Sequence, residues 1–319
     1  MKKKLLLGLI CVLALTGCGH IKLKNGENAI VKFKDVEGIS SDDLYKELKA
    51  NYGGSILVNL IDEKLLNKLY KTTSEEKKYI SQVVNSSKET AKGMNVDVET
   101  YLAYYFGVDS IDAYEKYLSL NYKRNLWKKD YALESVTDKQ LNEYYKHEYT
   151  GDIEAKHILI TVNVANDASS EDKEKAESAA KDKAIEVINK LKNGEKFDDL
   201  AKEYSDDKST SDKGGSLGKI NVGDYDDDVF TALKNLKVDT YSTTPVLSSY
   251  GYHVLYKVSQ DEKPELNDEI TDKIKKVIAS EIEQEDNFLA KSLIALREKY
   301  DMEIIDKELL STYNNSIGQ

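Results

Sequence analysis

Ala155-Lys156-His157-Ile158-Leu159-Ile160 (AKHILI) and Gly251-Tyr252-His253-Val254-Leu255-Tyr256 (GYHVLY) are the two stretches on which the reading of the 319-residue chain turns. Both are short runs of aliphatic and aromatic residues that suit a pleated, half-buried surface, and both read as strands. Each spends one of only four histidines inside its apolar run. A single buried histidine is most often a satisfied core residue. Two, in two strands of one segment, point to a shared role.

Between them the pattern is that of a small α+β domain. Ala180, Ala184, Val187, Ile188 and Leu191 mark a long amphipathic helix that stops at Asn193-Gly194, a C-cap signal. Phe197, Leu200, Ala201 and Tyr204 mark a shorter one. Gly214-Gly215-Ser216-Leu217-Gly218 is a turn and close-approach cluster, followed by a helical stretch around Val229–Leu236.

Outside this segment the period is helical. Ser40 and Asp43 form a capping-box pattern ahead of Leu44 and Leu48, and Leu57, Leu60, Ile61 and Leu65 extend the apolar face. Further helices are expected near 74–92, 97–106, 110–133 and 137–149, with no proline before Pro245. After Pro264 an apolar stripe from Ile270 to Leu296 predicts one long helix that packs on the earlier ones. The α+β segment then reads as an insertion between two pieces of a helical domain.

The N-terminus is a processing signal. Lys2, Lys3 and Lys4 precede LLLGLICVLAL and the small-residue site Leu15-Thr16-Gly17-Cys18, so residues 1–17 read as a signal peptide. Leu-Thr-Gly-Cys resembles the lipobox of bacterial lipoproteins, which implies that Cys18 carries the lipid. Two or more acyl chains give stable anchoring where one is marginal. Cys11 leaves with the signal, so no intramolecular disulfide is expected. The formal charge of −11, with both signs interspersed, excludes a nucleic-acid footprint. The scattered histidines offer no zinc spacing, so no metal is expected, nor any other cofactor.

AKHILI, FDDLAKEYSDD (197–207), GGSLG (214–218), LKVDTYSTTPV (236–246) and YGYHVLYKV (250–258) together resemble, in order and spacing, a parvulin peptidyl-prolyl isomerase domain over residues 152–260. The whole chain resembles the PrsA-type foldases. The resemblance implies an α+β fold: a parvulin-like domain, a small antiparallel sheet with helices, inserted in an all-α chaperone-like domain. The expected division is 1–17 signal peptide, 18–34 tether, 35–150 and 261–319 helical chaperone parts, and 151–260 the isomerase.

It also implies a site. His157 and His253 face each other on neighbouring strands and join a hydrogen-bond network to Asp207, while Leu217, Tyr225, Val229 and Phe230 line the proline pocket. Tyr225 stands where methionine is usual, Val229 where an ungapped count expects phenylalanine (Phe230 takes that place only if the helix starts one residue out of step), and Ser216 where aspartate is usual. Asp226, Asp227 and Asp228 add charge beside a pocket meant for an apolar ring, so a modest rate is expected.

The implied partners are unfolded exported proteins with X-Pro bonds and, through the lipid, the outer face of the bacterial cell membrane; a homodimer stays open. A non-catalytic holdase with a degenerate parvulin domain is the alternative. A solute-binding lipoprotein needs a doubly wound α/β pattern that the helical N-terminal half does not offer. Of 22 tyrosines, ten fall between residues 101 and 149, at helical spacing that reads first as core and rim and second as a client-binding surface.

Overall fold

The computed structural model describes residues 22–23, 26–165 and 168–318. The signal segment, Cys18 and His20 lie outside the described residues. Contacts divide the chain into two compact units, one running to Arg124 and resuming at Ile294–Gln319, the other Asn125–Leu293.

In the first unit a short antiparallel pair, β1 (Ala29–Val31) and β2 (Ile39–Ser40), leads into the 29-residue helix α1 (Ser41–Leu69). The capping box is formed: the Asp43 N–H donates to the Ser40 hydroxyl at 3.0 Å, and the Asp43 carboxylate accepts from the Ser40 N–H at 2.8 Å. Next come α2 (Ser74–Gly93), α3 (Val98–Phe106) and α4 (Ile111–Ser135), whose last turns belong to the second unit. Val84, Leu102, Tyr114 and Leu118 form the core among α2, α3 and α4. Near the C-terminus, α11 (Lys307–Ile317) lies along α1. The two helices come close because Gly54 has no side chain: a Cβ there would overlap the Thr312 carbonyl oxygen.

The second unit is built on an antiparallel sheet ordered β4-β3-β7-β5, with β6 also paired to β7. Its strands are β3 (Ile153–Ile160), β4 (Ser216–Ile220), β5 (Thr240–Tyr241), β6 (Val246–Ser248) and β7 (Gly251–Gln260). Both histidine-bearing runs are therefore the two central strands. Alternation sends Ile158, Ile160, Tyr252 and Val254 to one face, where they pack with α6 (Ser170–Lys192) and α7 (Phe197–Tyr204). Ile153, Ala155 and Leu255 take the other, with α5 (Asp138–His147), α8 (Asp227–Asn235) and α9 (Asp268–Glu283). His157 and His253 have the parity of this second face.

Two features differ from the sequence reading. The apolar stripe from Ile270 to Leu296 is not one helix: α9 ends at Glu283, α10 spans Phe288–Lys299, and Asn287 between them has a φ of 59°. The break falls at Gln284-Glu285-Asp286-Asn287, where no apolar residue rewards continuation and asparagine tolerates the left-handed region. Secondly, α5 and α9, read as parts of the helical domain, cluster with the sheet, because Leu141, Ile270, Ile274 and Ile278 bury their stripe against the face that carries Ile153 and Leu255. The ends of the inserted segment meet as expected: Gly151 packs on the Asp261 backbone, and the Asp261 N–H donates to the Asp152 carbonyl at 2.9 Å. Among the described residues no helix is long and apolar enough to cross a membrane.

Candidate active site

Local structure aims each polar group. Beyond α7 the chain is laced to β3: the Asp206 N–H donates to the Leu159 carbonyl at 2.7 Å, the Leu159 N–H to the Ser205 hydroxyl at 3.1 Å, and the Thr161 N–H to the Asp206 carboxylate at 2.9 Å. This holds Asp207 beside β3. Further along the same edge of β3, Gly215, at φ 77°, places its carbonyl 2.8 Å from the His157 N–H, and a Cβ there would overlap the His157 carbonyl oxygen. Only glycine suits both the conformation and the approach.

The antiparallel register sets His157 opposite Leu255 and His253 opposite Leu159, so the two rings meet on the diagonal. Their centroids are 5.2 Å apart with planes 27° from parallel, and Nδ1 lies 3.1 Å from Nδ1. His157 Nε2 lies 2.8 Å from Asp207 Oδ2 and 3.1 Å from Thr210 Oγ1. At the far end His253 Nε2 lies 2.8 Å from Ser248 Oγ, which accepts the Tyr250 N–H at 3.0 Å. Both imidazoles are buried.

Charge states follow from the surroundings. Burial lowers the pKa of His157, more than the Asp207 hydrogen bond raises it. Burial, then the neighbouring His157, pushes His253 down to about 4. Both rings are neutral at pH 7. Burial works to raise the Asp207 carboxyl, but hydrogen bonds from Thr210, Ser209 and His157 prevail and hold it well below the usual carboxylate range.

An ionised carboxylate only accepts, so His157 donates from Nε2 and, being neutral, accepts at Nδ1. His253 must then donate from Nδ1 and accept at Nε2, which leaves the Ser248 hydroxyl as its donor. The result is a one-way relay, Ser248 to His253 to His157 to Asp207.

The relay brings together the three residues expected to form it and adds three that sequence reasoning did not name. Ser209 and Thr210 follow Asp207 at the offsets of an Asx turn, and both bond its carboxylate, Ser209 from N–H and hydroxyl at 2.9 and 2.7 Å and Thr210 at 2.5 Å. Ser248 carries no comparable signal, being one of two adjacent serines before the turn at Gly251.

Of the expected pocket residues, Val229 and Phe230 are buried in the core on the histidine face and Leu217 packs half-buried against it. Tyr225 is exposed on the loop before α8, within electrostatic reach of Asp207. Asp226 comes close to the relay, its carboxylate 3.5 Å from the Ser249 N–H.

A pH dependence follows. His253 has a folded pKa of about 4 against roughly 6.5 in an unfolded chain. The unfolded state therefore binds more protons between these values. The contribution to stability is complete above about pH 6.5 and is lost as pH falls to about 4, on the order of 3 kcal/mol. Urea unfolding should show this loss, with a shallower slope in His253→Gln.

Residues 157–259 match the family model of the PPIC-type PPIase domain, the rotamases. The chain is 33% identical over 310 residues to the foldase protein PrsA of Bacillus subtilis, covering 96% of this chain and 91% of that protein. It is 35% identical over 267 residues to the PrsA of Geobacillus kaustophilus, covering 83% and 81%. The crystal structure of the Streptococcus pneumoniae PrsA shares the fold, with a TM-score of 0.58 at 21% identity over 90% of this chain and 98% of that one. A histidine relay on the central strands of a parvulin sheet, within a chain that matches such a foldase over 96% of its length, leads to one conclusion: this protein belongs to the PrsA family of foldases and is a parvulin-type peptidyl-prolyl cis-trans isomerase.

Proposed function

We propose that the His157–His253 relay is the catalytic centre for client X-Pro bonds, in a foldase anchored through Cys18 to the outer face of the cell membrane, with client binding added by the helical parts. The observation that carries the catalytic reading is the unbroken chain of short contacts from Ser248 through His253 and His157 to Asp207.

Rotation about an X-Pro bond faces a barrier of about 18–20 kcal/mol because amide resonance is lost on the way. No covalent step is needed. The catalyst has to favour the twisted amide, whose nitrogen becomes a better acceptor and whose carbonyl changes direction. A neutral relay suits such a rotation. Its ends, Ser248 and Asp207, are only partly covered while its imidazoles are buried, so a change at one end is answered through polarised hydrogen bonds without a charge being created. Leu217, half-buried, offers the apolar surface on which a proline ring would rest, backed by the buried Val229 and Phe230.

The chaperone part rests on exposed aromatic surface. Tyr114 is core, but Tyr104 is 81% exposed, and Tyr79, Tyr105 and Tyr117 are exposed with it on α2, α3 and α4. Rings that combine an apolar body with a hydroxyl suit unfolded chains of mixed sequence.

The test is prolyl isomerisation by the full chain, followed by cis/trans exchange in a short peptide. A rate above the uncatalysed one is expected. A rate equal to it, with aggregation of an unfolded client still suppressed, would favour the holdase. Cys18→Ser should move the protein from the membrane fraction to the medium; unchanged membrane fractionation would sink the anchor.

A further inference from the structure

A groove of about 770 Å³ lies between the loop 222–227 and one face of α9. Its helix side is built from residues 273, 276, 277, 280, 281 and 284, the spacing of a single helical face. The Lys273–Asp224 ion pair, at 2.7 Å, ties helix to loop. The loop wall is Tyr225, Asp226 and Asp227. The groove's loop wall reaches the neighbourhood of the relay, since Asp226 also approaches, at 3.5 Å, the N–H of Ser249 next to Ser248. Its other wall, α9, lies outside residues 157–259 and is not part of the isomerase domain proper.

We propose that this groove is an extended substrate subsite that holds the client polypeptide flanking its X-Pro bond and selects a lysine or arginine there. It rests on the relay being the isomerisation site. Continuity argues for a polypeptide: a chain leaving the relay past Tyr225 enters the groove directly. Length agrees. The helix wall from Lys273 to Gln284 rises about 16 Å, the span of about five extended residues.

Charge selects the side chain. Asp226, Asp227 and Glu281 line the groove against Lys276 and the already paired Lys273. Burial first, and then the nearby carboxylates of Asp227 and Glu148, raise the Glu281 carboxyl, which places Glu281 within electrostatic reach of Asp227 across the groove. A cationic side chain relieves that crowding, and an acidic one adds to it.

The test uses the full chain and two probes, a proline tetrapeptide and a fluorescein-labelled peptide of about twelve residues with lysines flanking a central proline, long enough to fill the groove from either side. Ser280→Trp fills the groove from an exposed helix position. It should weaken binding of the long peptide, read by anisotropy, about tenfold and leave tetrapeptide isomerisation unchanged. Glu281→Lys should weaken the lysine peptide and strengthen a glutamate counterpart. Unchanged long-peptide binding in Ser280→Trp, or equal loss on both probes, overturns the groove. Groove-dependent binding without any isomerisation by the wild type would instead keep the groove and remove the reading of the relay.

Discussion

Asp62→Ala is expected to destabilise the first unit by about 3–5 kcal/mol, the largest stability effect of any single polar substitution in it. Asp62 is fully buried in the middle of α1 and joins three helices. Arg297 on α10 donates to Oδ1 at 2.6 Å, and Arg124 on α4 donates to Oδ2 at 2.7 and 3.0 Å. Arg297 is itself buried and stacks over the Tyr313 ring of α11 at 5.6 Å. Removing the carboxylate leaves its buried guanidinium without a counter-charge, and that penalty, more than the loss of the hydrogen bonds, sets the magnitude. Chemical denaturation should show it. Asp62→Ala with Arg297→Met, which removes the carboxylate and the more deeply buried of its two guanidinium partners, should recover a large part of the loss; no recovery would mean that packing, and not charge, holds these helices.

His157→Leu should lower kcat/KM for proline peptides on the order of 100-fold, chiefly in kcat, because the relay is broken at its centre while the apolar wall for the proline ring stays in place. Ser248→Ala removes only an end of the relay and should cost about tenfold. A His157→Leu variant that keeps the wild-type kcat would mean that this histidine merely fills the core.

Much of this could be read from residues alone. The caps at Ser40 and Asn193, the period changes and the two apolar runs fix helices and central strands because each is a local signal. His157, His253 and Asp207 were accessible through their spacing and the resemblance it carries. Ser248 was not, because a serine before a turn looks like any other, and only the β6–β7 pairing brings it under His253. Asp62 was missed for the same reason: on a helix of mixed charge it looks solvated, and its burial depends on helices far along the chain. The single long C-terminal helix failed at Asn287, where apolar period persists across a break that local polarity imposes.

The central claim is that two neutral imidazoles form a one-way relay, and nitrogen-15 NMR of the histidine side chains at pH 7 probes it directly. His157 should carry its proton on Nε2 and His253 on Nδ1, with both rings neutral at pH 7, His157 titrating below the ordinary histidine range and His253 near pH 4. The same tautomer in both rings, or an imidazolium at neutral pH, would contradict it.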